Sequence, residues 1–125
     1  MKLNKHIEFN SKSQLWRLLI NNNNNLLIES RDTETKKVSL TCFNLDSKET
    51  LLNNITPKED TWIGIEAFYG DYIIMHKFVK PDLPMHKGII LYSVSQKKEI
   101  WENLNYTFLL IHNDNIIAQQ QGFEE

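Results

Sequence analysis

Residues 62–102 read WIGIEAFYGDYIIMHKFVKPDLPMHKGIILYSVSQKKEIWE. Trp62 to Tyr69 is a short run of strand-forming residues, and Tyr69-Gly70-Asp71 is a turn. Tyr72 to Val79 follows as a second strand, and a longer loop within residues 79–87 carries Pro81 and Pro84. Gly88 to Val94 is a third strand, Ser95-Gln96-Lys97 a turn, and Lys98 to Glu102 a fourth strand suited to a sheet edge. The stretch therefore predicts four antiparallel strands joined by three turns. No apolar i, i+3, i+4 pattern persists in the chain over the roughly ten residues a helix needs.

Outward from this stretch, the flanks look like incomplete copies of it. On the N-terminal side, residues 5–10 (KHIEFN) alternate and predict a short strand. Residues 15–20 (LWRLLI) are apolar except for Arg17, the pattern of a strand buried on both faces. The five asparagines at 21–25 are a turn, because Asn tolerates left-handed backbone. Residues 25–32, 37–45 and 49–55 are three further strands, and Pro57 ends the last of them. On the C-terminal side, residues 106–112 and 116–119 flank an Asn-Asp-Asn turn.

Trp16, Trp62 and Phe108 are spaced 46 and 46 residues apart, each near the start of an apolar strand. A period of about 40–50 residues built from four antiparallel strands is the mark of β-propeller blades. With strands labelled A to D from the centre outward, the chain reads as one D strand (5–10), a blade over 15–55, a blade over 62–102 and a partial A–B blade over 106–120. The expected fold is all-β, a partial propeller of eleven strands in one domain. A ring needs four or more blades, so the chain is expected to be a piece of a longer array that continues beyond Glu125, an open fan of blades, or a half that pairs with another copy. Open sheet edges invite pairing. The expected partners are therefore a second copy, as a homodimer through those edges, or the remainder of a propeller. A terminal segment folded over the open edge is the other expectation.

Bulk properties narrow the classes. The chain has 125 residues, 41% hydrophobic and 24% charged, enough for one domain with a real core. Net charge is −2 and the two signs are mixed, which gives no bulk attraction for nucleic acid or an anionic membrane. The single cysteine, Cys42, excludes an internal disulfide and sits in an apolar alternating run, where a packing thiol is expected. The longest apolar runs fall far short of the roughly 20 residues needed to span a bilayer. No signal-peptide pattern opens the sequence, and a cytoplasmic location is the default expectation.

The segment KGIILYSVSQKKEIWE (residues 87–102) resembles the quinoprotein-type blade repeat, in which a strand, a polar turn and a strand ending in tryptophan follow one another; Trp101 and the spacing carry the likeness. The whole chain is similar to an uncharacterised bacterial family known only as a domain of unknown function. The Trp16 strand, the IESRD segment with Glu29 and Arg31, the Trp62 strand, and the PDLPMHKGI loop leading to IWE carry that likeness. The resemblance implies a family about twice as long, of which this chain covers the N-terminal half. It implies no activity, cofactor or catalytic residue.

In a propeller, the D-to-A and B-to-C loops share one face. Here that face holds loops 32–37, 56–61 and 79–87, and binding residues concentrate on loops held by a rigid scaffold. The ligand-binding candidates at that end are Arg31, Trp62, His76, His86 and Lys87. His76 and His86 are placed to face each other across a hairpin, which suits proton transfer or zinc. A zinc site needs about four ligands, and no His or Cys pair at ligand spacing supplies them, so no metal and no cofactor are expected. Glu29 and Arg31, two apart on one strand, share a face and are expected to form an ion pair between strands or blades. Glu66, mid-strand, is expected to pair with Arg17, because a buried carboxylate is costly alone. No nucleophile elbow, phosphate loop or paired carboxylates appear. The sequence favours a non-enzymatic binding or interaction module; the alternative is half of an enzyme completed by residues outside this chain.

Overall fold

The computed structural model describes residues 6–9, 13–58, 63–80 and 83–120; it leaves the side chains of residues 79, 80 and 83–86 undescribed. Ten strands form, in order β1 (Gln14–Ile20), β2 (Asn25–Arg31), β3 (Val38–Asn44), β4 (Thr50–Ile55), β5 (Ile63–Tyr69), β6 (Tyr72–Lys80), β7 (Leu83–Ser93), β8 (Lys98–Asn103), β9 (Tyr106–His112) and β10 (Asn115–Gln120). The described residues contain no helix. β1 to β4 pair antiparallel in sequence order as one four-stranded sheet. β5 to β8 pair in the same way as a second meander. β9 and β10 form an antiparallel hairpin, joined to β7 by a single parallel pairing of Thr107 with Gly88. Neither sheet closes on itself.

The same turn chemistry recurs in both meanders. The β3–β4 turn is closed by Lys48 N–H donating to Asn44 O at 2.8 Å, and the β7–β8 turn by Lys97 N–H donating to Ser93 O at 2.8 Å. Both lysines have positive φ, 65° and 57°. Each turn also ties back to the preceding hairpin. Leu45 N–H donates to Asn24 O, and Val94 N–H donates to Asp71 O, both at 2.9 Å. The Asn-rich turn holds itself together through Asn21, whose Oδ1 accepts the N–H groups of Asn23 (3.0 Å) and Asn25 (2.9 Å). At Asn113 and Asp114 both φ values are positive, 48° and 62°, as the tightest hairpin turns require.

The two meanders stack face to face. Leu27, Val38, Leu40, Cys42 and Leu52 from the first meet Ile63, Ile65, Phe68, Ile73, Met75, Ile90, Tyr92 and Val94 from the second in one buried cluster. These residues alternate along their strands, so each meander commits one face to the shared core. The β9–β10 hairpin lies on the opposite face of the second meander. There it meets Ile89 and Leu91 with Tyr106, Ile116 and Ala118 around a cleft of about 530 Å³. Turns align across the stack: Asn21 Nδ2–H donates to Gly70 O at 2.6 Å, Gly70 N–H donates to Asn22 Oδ1 at 2.8 Å, and the Tyr69 hydroxyl donates to Asp114.

Three expectations are corrected. Residues 6–9 form no strand. The His6 ring instead donates to Leu45 O, and Phe9 sits edge-on to Phe43 with ring centroids 6.1 Å apart. Phe43 belongs to β3, whose two sides are already paired by β2 and β4, so the segment packs there without joining a ladder. The described residues of 79–87 are strand rather than loop. β6 runs on to Lys80 and β7 starts at Leu83, paired to each other, and only residues 81–82 connect them. Pro84 is the second residue of β7, near a strand start where proline is tolerated. β1 is not buried on both faces. Leu15, Trp16, Leu18 and Ile20 are all more than half exposed, because β1 ends its sheet and only Leu19 packs against the core.

Candidate functional site

The most polar buried constellation sits between the two meanders, at the inner end of the stack. The β1–β2 register slips between Leu15 and Arg17, so Trp16 is the extra residue and Arg17 lies opposite Glu29. Glu29 and Arg31 alternate with the core residue Leu27 along β2 and point into the interface. Arg31 Nε donates to Glu29 Oε2 at 3.0 Å, its Nη2 donates to Ile63 O, and its guanidinium lies 5.4 Å over the Trp16 ring. Arg17 Nη1 donates to Ile65 O at 2.6 Å. β5 ends the second sheet path, and its outward carbonyls have no ladder partner. The two arginines of the first meander supply donors to that edge.

Glu29 is 1% exposed. Burial pushes its carboxyl above the ordinary range, and the positive charges of Arg31 and Arg17 oppose that push only in part. Its Oε1 accepts no hydrogen bond among the described residues. The expected Glu29–Arg31 pair is therefore present, and it reaches the neighbouring meander through Arg31. Such a pair fixes geometry more than it adds stability, because desolvating two charges offsets most of their attraction.

A second polar pair lies on the opposite face of the β5–β6 hairpin. His76 Nδ1 is 2.8 Å from Glu66 Oε1, and the ring stands edge-on to Phe78 with centroids 5.1 Å apart. Glu66 is the residue displaced by the slip in register between Ile65 and Ala67, which swings its carboxylate toward His76. The expected Glu66–Arg17 pairing is thereby corrected: Arg17 is drawn to the main chain of Ile65. Gly64 lies directly across from His76, and a Cβ there would come within 2.7 Å of Nε2. The second nitrogen of the imidazole thus lies against the Gly64 backbone.

The remaining candidates do not converge on one place. Arg31 is held inside the interface between the meanders, and His76 faces away from it. Trp62 lies outside the described residues. The main chain of His86 pairs with Phe78 rather than with His76, so the register does not set the two histidines opposite each other. Lys87 is exposed and pairs in register with Lys77, whose ammonium is 3.4 Å from Glu102. Loop 32–37 is closed on itself: Asp32 Oδ1 accepts N–H groups from Glu34 (2.9 Å) and Thr35 (2.8 Å). These bonds hold the Asp32 carboxyl below the usual carboxylate range. Among the described residues, no group of three or more His, Cys, Asp or Glu is placed to hold a metal ion.

Sequence reasoning missed two features. The first is Asp71, which locks two turns together. Its Oδ2 accepts the hydroxyls of Ser93 (2.5 Å) and Ser95 (2.8 Å), and its Oδ1 accepts Ser95 N–H (2.8 Å). Burial alone would raise its pKa, and these bonds together lower it. The second is the outward face of the β9–β10 hairpin, where Leu109, Leu110 and Ile117 are 53%, 50% and 42% exposed. The run YTFLLIH was legible as a strand, but nothing in it says which of its faces is covered.

No described helix is long and apolar enough to cross a membrane. No curated protein and no solved structure matches the chain. A family model does match it over residues 20–101, from the last residue of β1 into β8, and so spans the interface between the two meanders. The chain belongs to the family described as "Domain of unknown function (DUF4905)".

Proposed function

We propose that the chain is a stack of propeller-type blades that acts by docking to other protein through its open apolar strands, without chemistry of its own. The observation that carries this reading is the exposure of Leu109, Leu110 and Ile117 on a hairpin whose other face is already packed. Single exposed apolar residues are ordinary, but contiguous ones on one strand pair mark interaction surfaces. The blade reading is supported by the two consecutive four-stranded meanders, their matching turns at Lys48 and Lys97, and the stitching of Asn21, Asn22, Gly70, Tyr69 and Asp114 at one end. Propeller blades stack face to face with equivalent turns at the same end.

The end carrying loops 32–37, 56–61 and the 79–87 hairpin is the weaker docking surface, since loop 32–37 spends its polar groups on itself and 79–87 is mostly ladder. The half-enzyme reading rests on His76 and Glu66, and the packing of Nε2 on Gly64 argues against it. Sedimentation velocity tests the docking reading. The wild-type chain is expected to associate at tens of micromolar. A lysine pair on β9–β10 (Leu110→Lys with Ile117→Lys) is expected to abolish that association. A wild-type chain that stays a single-chain species up to its solubility limit overturns it.

A further inference from the structure

The strand edges of this chain differ in whether a second copy can add to them. β5 is blocked, because Arg17 and Arg31 occupy the carbonyls of Ile65 and Ile63. In a two-fold antiparallel pairing, each side chain near the axis meets its own symmetry mate or a close neighbour. On β1 the central residue is Arg17, which would face Arg17 of the second copy. On β8, the central Ile100–Trp101 step would set Glu99 opposite Glu102 of the second copy. Like charges directly opposed across strands are destabilising. β4 is uncharged, but its pairing with β3 slips register twice and Asn54 has φ 52°, so it offers no straight ladder.

β10 carries no such charge, and its one slip in register against β9, between Ile117 and Ala118, places the extra residue, Leu109, on β9 rather than on β10 itself. Its sequence NIIAQQ carries no charge, proline or glycine, and among the described residues it ends the sheet path with one side unpaired. Ile116 and Ala118 face the second meander, so Asn115, Ile117 and Gln119 face outward. Antiparallel strands related by a two-fold axis normal to the sheet keep outward residues opposite outward residues. An axis through Ile117 then sets Ile117 against its mate, Asn115 against Gln119 of the second copy, and Ile116 against Ala118. Every pair is chemically matched: amide with amide, apolar with apolar. Leu110, opposite Ile117 on β9 and half exposed, extends the apolar strip on both sides.

We propose that β10 is a self-pairing edge, at which a second copy of this chain adds antiparallel in the register centred on Ile117. This rests on the docking reading above and names its partner. Main-chain hydrogen bonds would supply the affinity, and the Leu110–Ile117–Ile117–Leu110 strip and the flanking amides would set the register.

Site-directed disulfide trapping reads the register directly. Residues directly opposite on antiparallel strands have Cα atoms about 4.5–5.5 Å apart, within disulfide reach. Cys42, the one native cysteine, is buried and its thiol is pushed up to about 12, so it will not compete. Ile117→Cys is expected to give a disulfide-linked dimer under mild oxidation. A mixture of Asn115→Cys chains and Gln119→Cys chains is expected to cross-link, and Asn115→Cys alone is not. Ile117→Lys, exposed and so not needed for folding, is expected to reduce the sedimenting mass by half. If the wild-type chain associates but Ile117→Cys does not cross-link, or Ile117→Lys remains associated, the β10 pairing is overturned and the docking reading stands. If the wild-type chain does not associate at all, both fall.

Discussion

Glu29 shows most clearly how a single residue can be read and then misjudged. Its ion pair with Arg31 follows from spacing alone, since residues two apart on a strand share a face. Its near-complete burial does not follow, because that depends on which sheet covers it. The pH consequence has a definite sign. The folded chain holds the Glu29 proton more tightly than the unfolded one, whose carboxyl has its ordinary value of 4.5. The contribution of this group is therefore complete below that pH and is lost as pH rises through the folded value. Unfolding free energies of Glu29→Gln and wild type, measured from about pH 4 to about pH 8, should diverge in the variant's favour as pH rises; a constant difference would contradict this. Cys42, fully buried with its thiol pushed up to about 12, should stay unreactive to thiol reagents near neutral pH until the chain unfolds. Modification at the rate of a free thiol would show that the shared core is open. Asp71→Ala removes the acceptor for three hydrogen bonds and should cost about 2–3 kcal/mol in urea unfolding. A cost within about 0.5 kcal/mol, the range of ordinary surface changes, would show that the turns do not depend on it.

Among the elements, the β5–β6 hairpin is the one that both interfaces use. One face carries Ile63, Ile65, Ile73 and Met75 into the core, and the other holds His76 over Gly64. Strand-forming residues in WIGIEAF and YIIMH, separated by the Tyr69-Gly70-Asp71 turn, made both strands legible. The slip at Glu66 was not legible, because a bulge leaves no reliable mark in one sequence, and so the partner of Glu66 was misassigned. Gly64→Ala puts a methyl 2.7 Å from a buried ring that Glu66 already holds. It should destabilise the chain by about 1–3 kcal/mol. Adding His76→Ala should recover part of that loss, which a double-mutant cycle would read as coupling; strict additivity would place the ring elsewhere. The 79–87 segment was misread for a different reason. Two prolines in nine residues look like a loop, yet Pro84 falls at a strand start where its missing N–H costs little.

At the scale of the whole molecule, the runs of strand-forming residues and the lack of helical periodicity carried the all-β, antiparallel character of the chain. What composition could not carry was exposure. A continuous apolar run means two covered faces only if something covers them, and β1 and β9–β10 are apolar but open. The site was legible only in pieces, because Arg31 and His76 lie on opposite sides of one hairpin and a period does not say which faces stack. The docking reading and the β10 pairing both depend on the face-to-face stack that leaves these strands outside. A methyl NOESY spectrum of Ile- and Leu-labelled protein tests that stack most directly. It should show cross-peaks from Leu40 and Leu52 to Ile63, Ile73 or Ile90. Cross-peaks confined within each meander, with none between them, would contradict it.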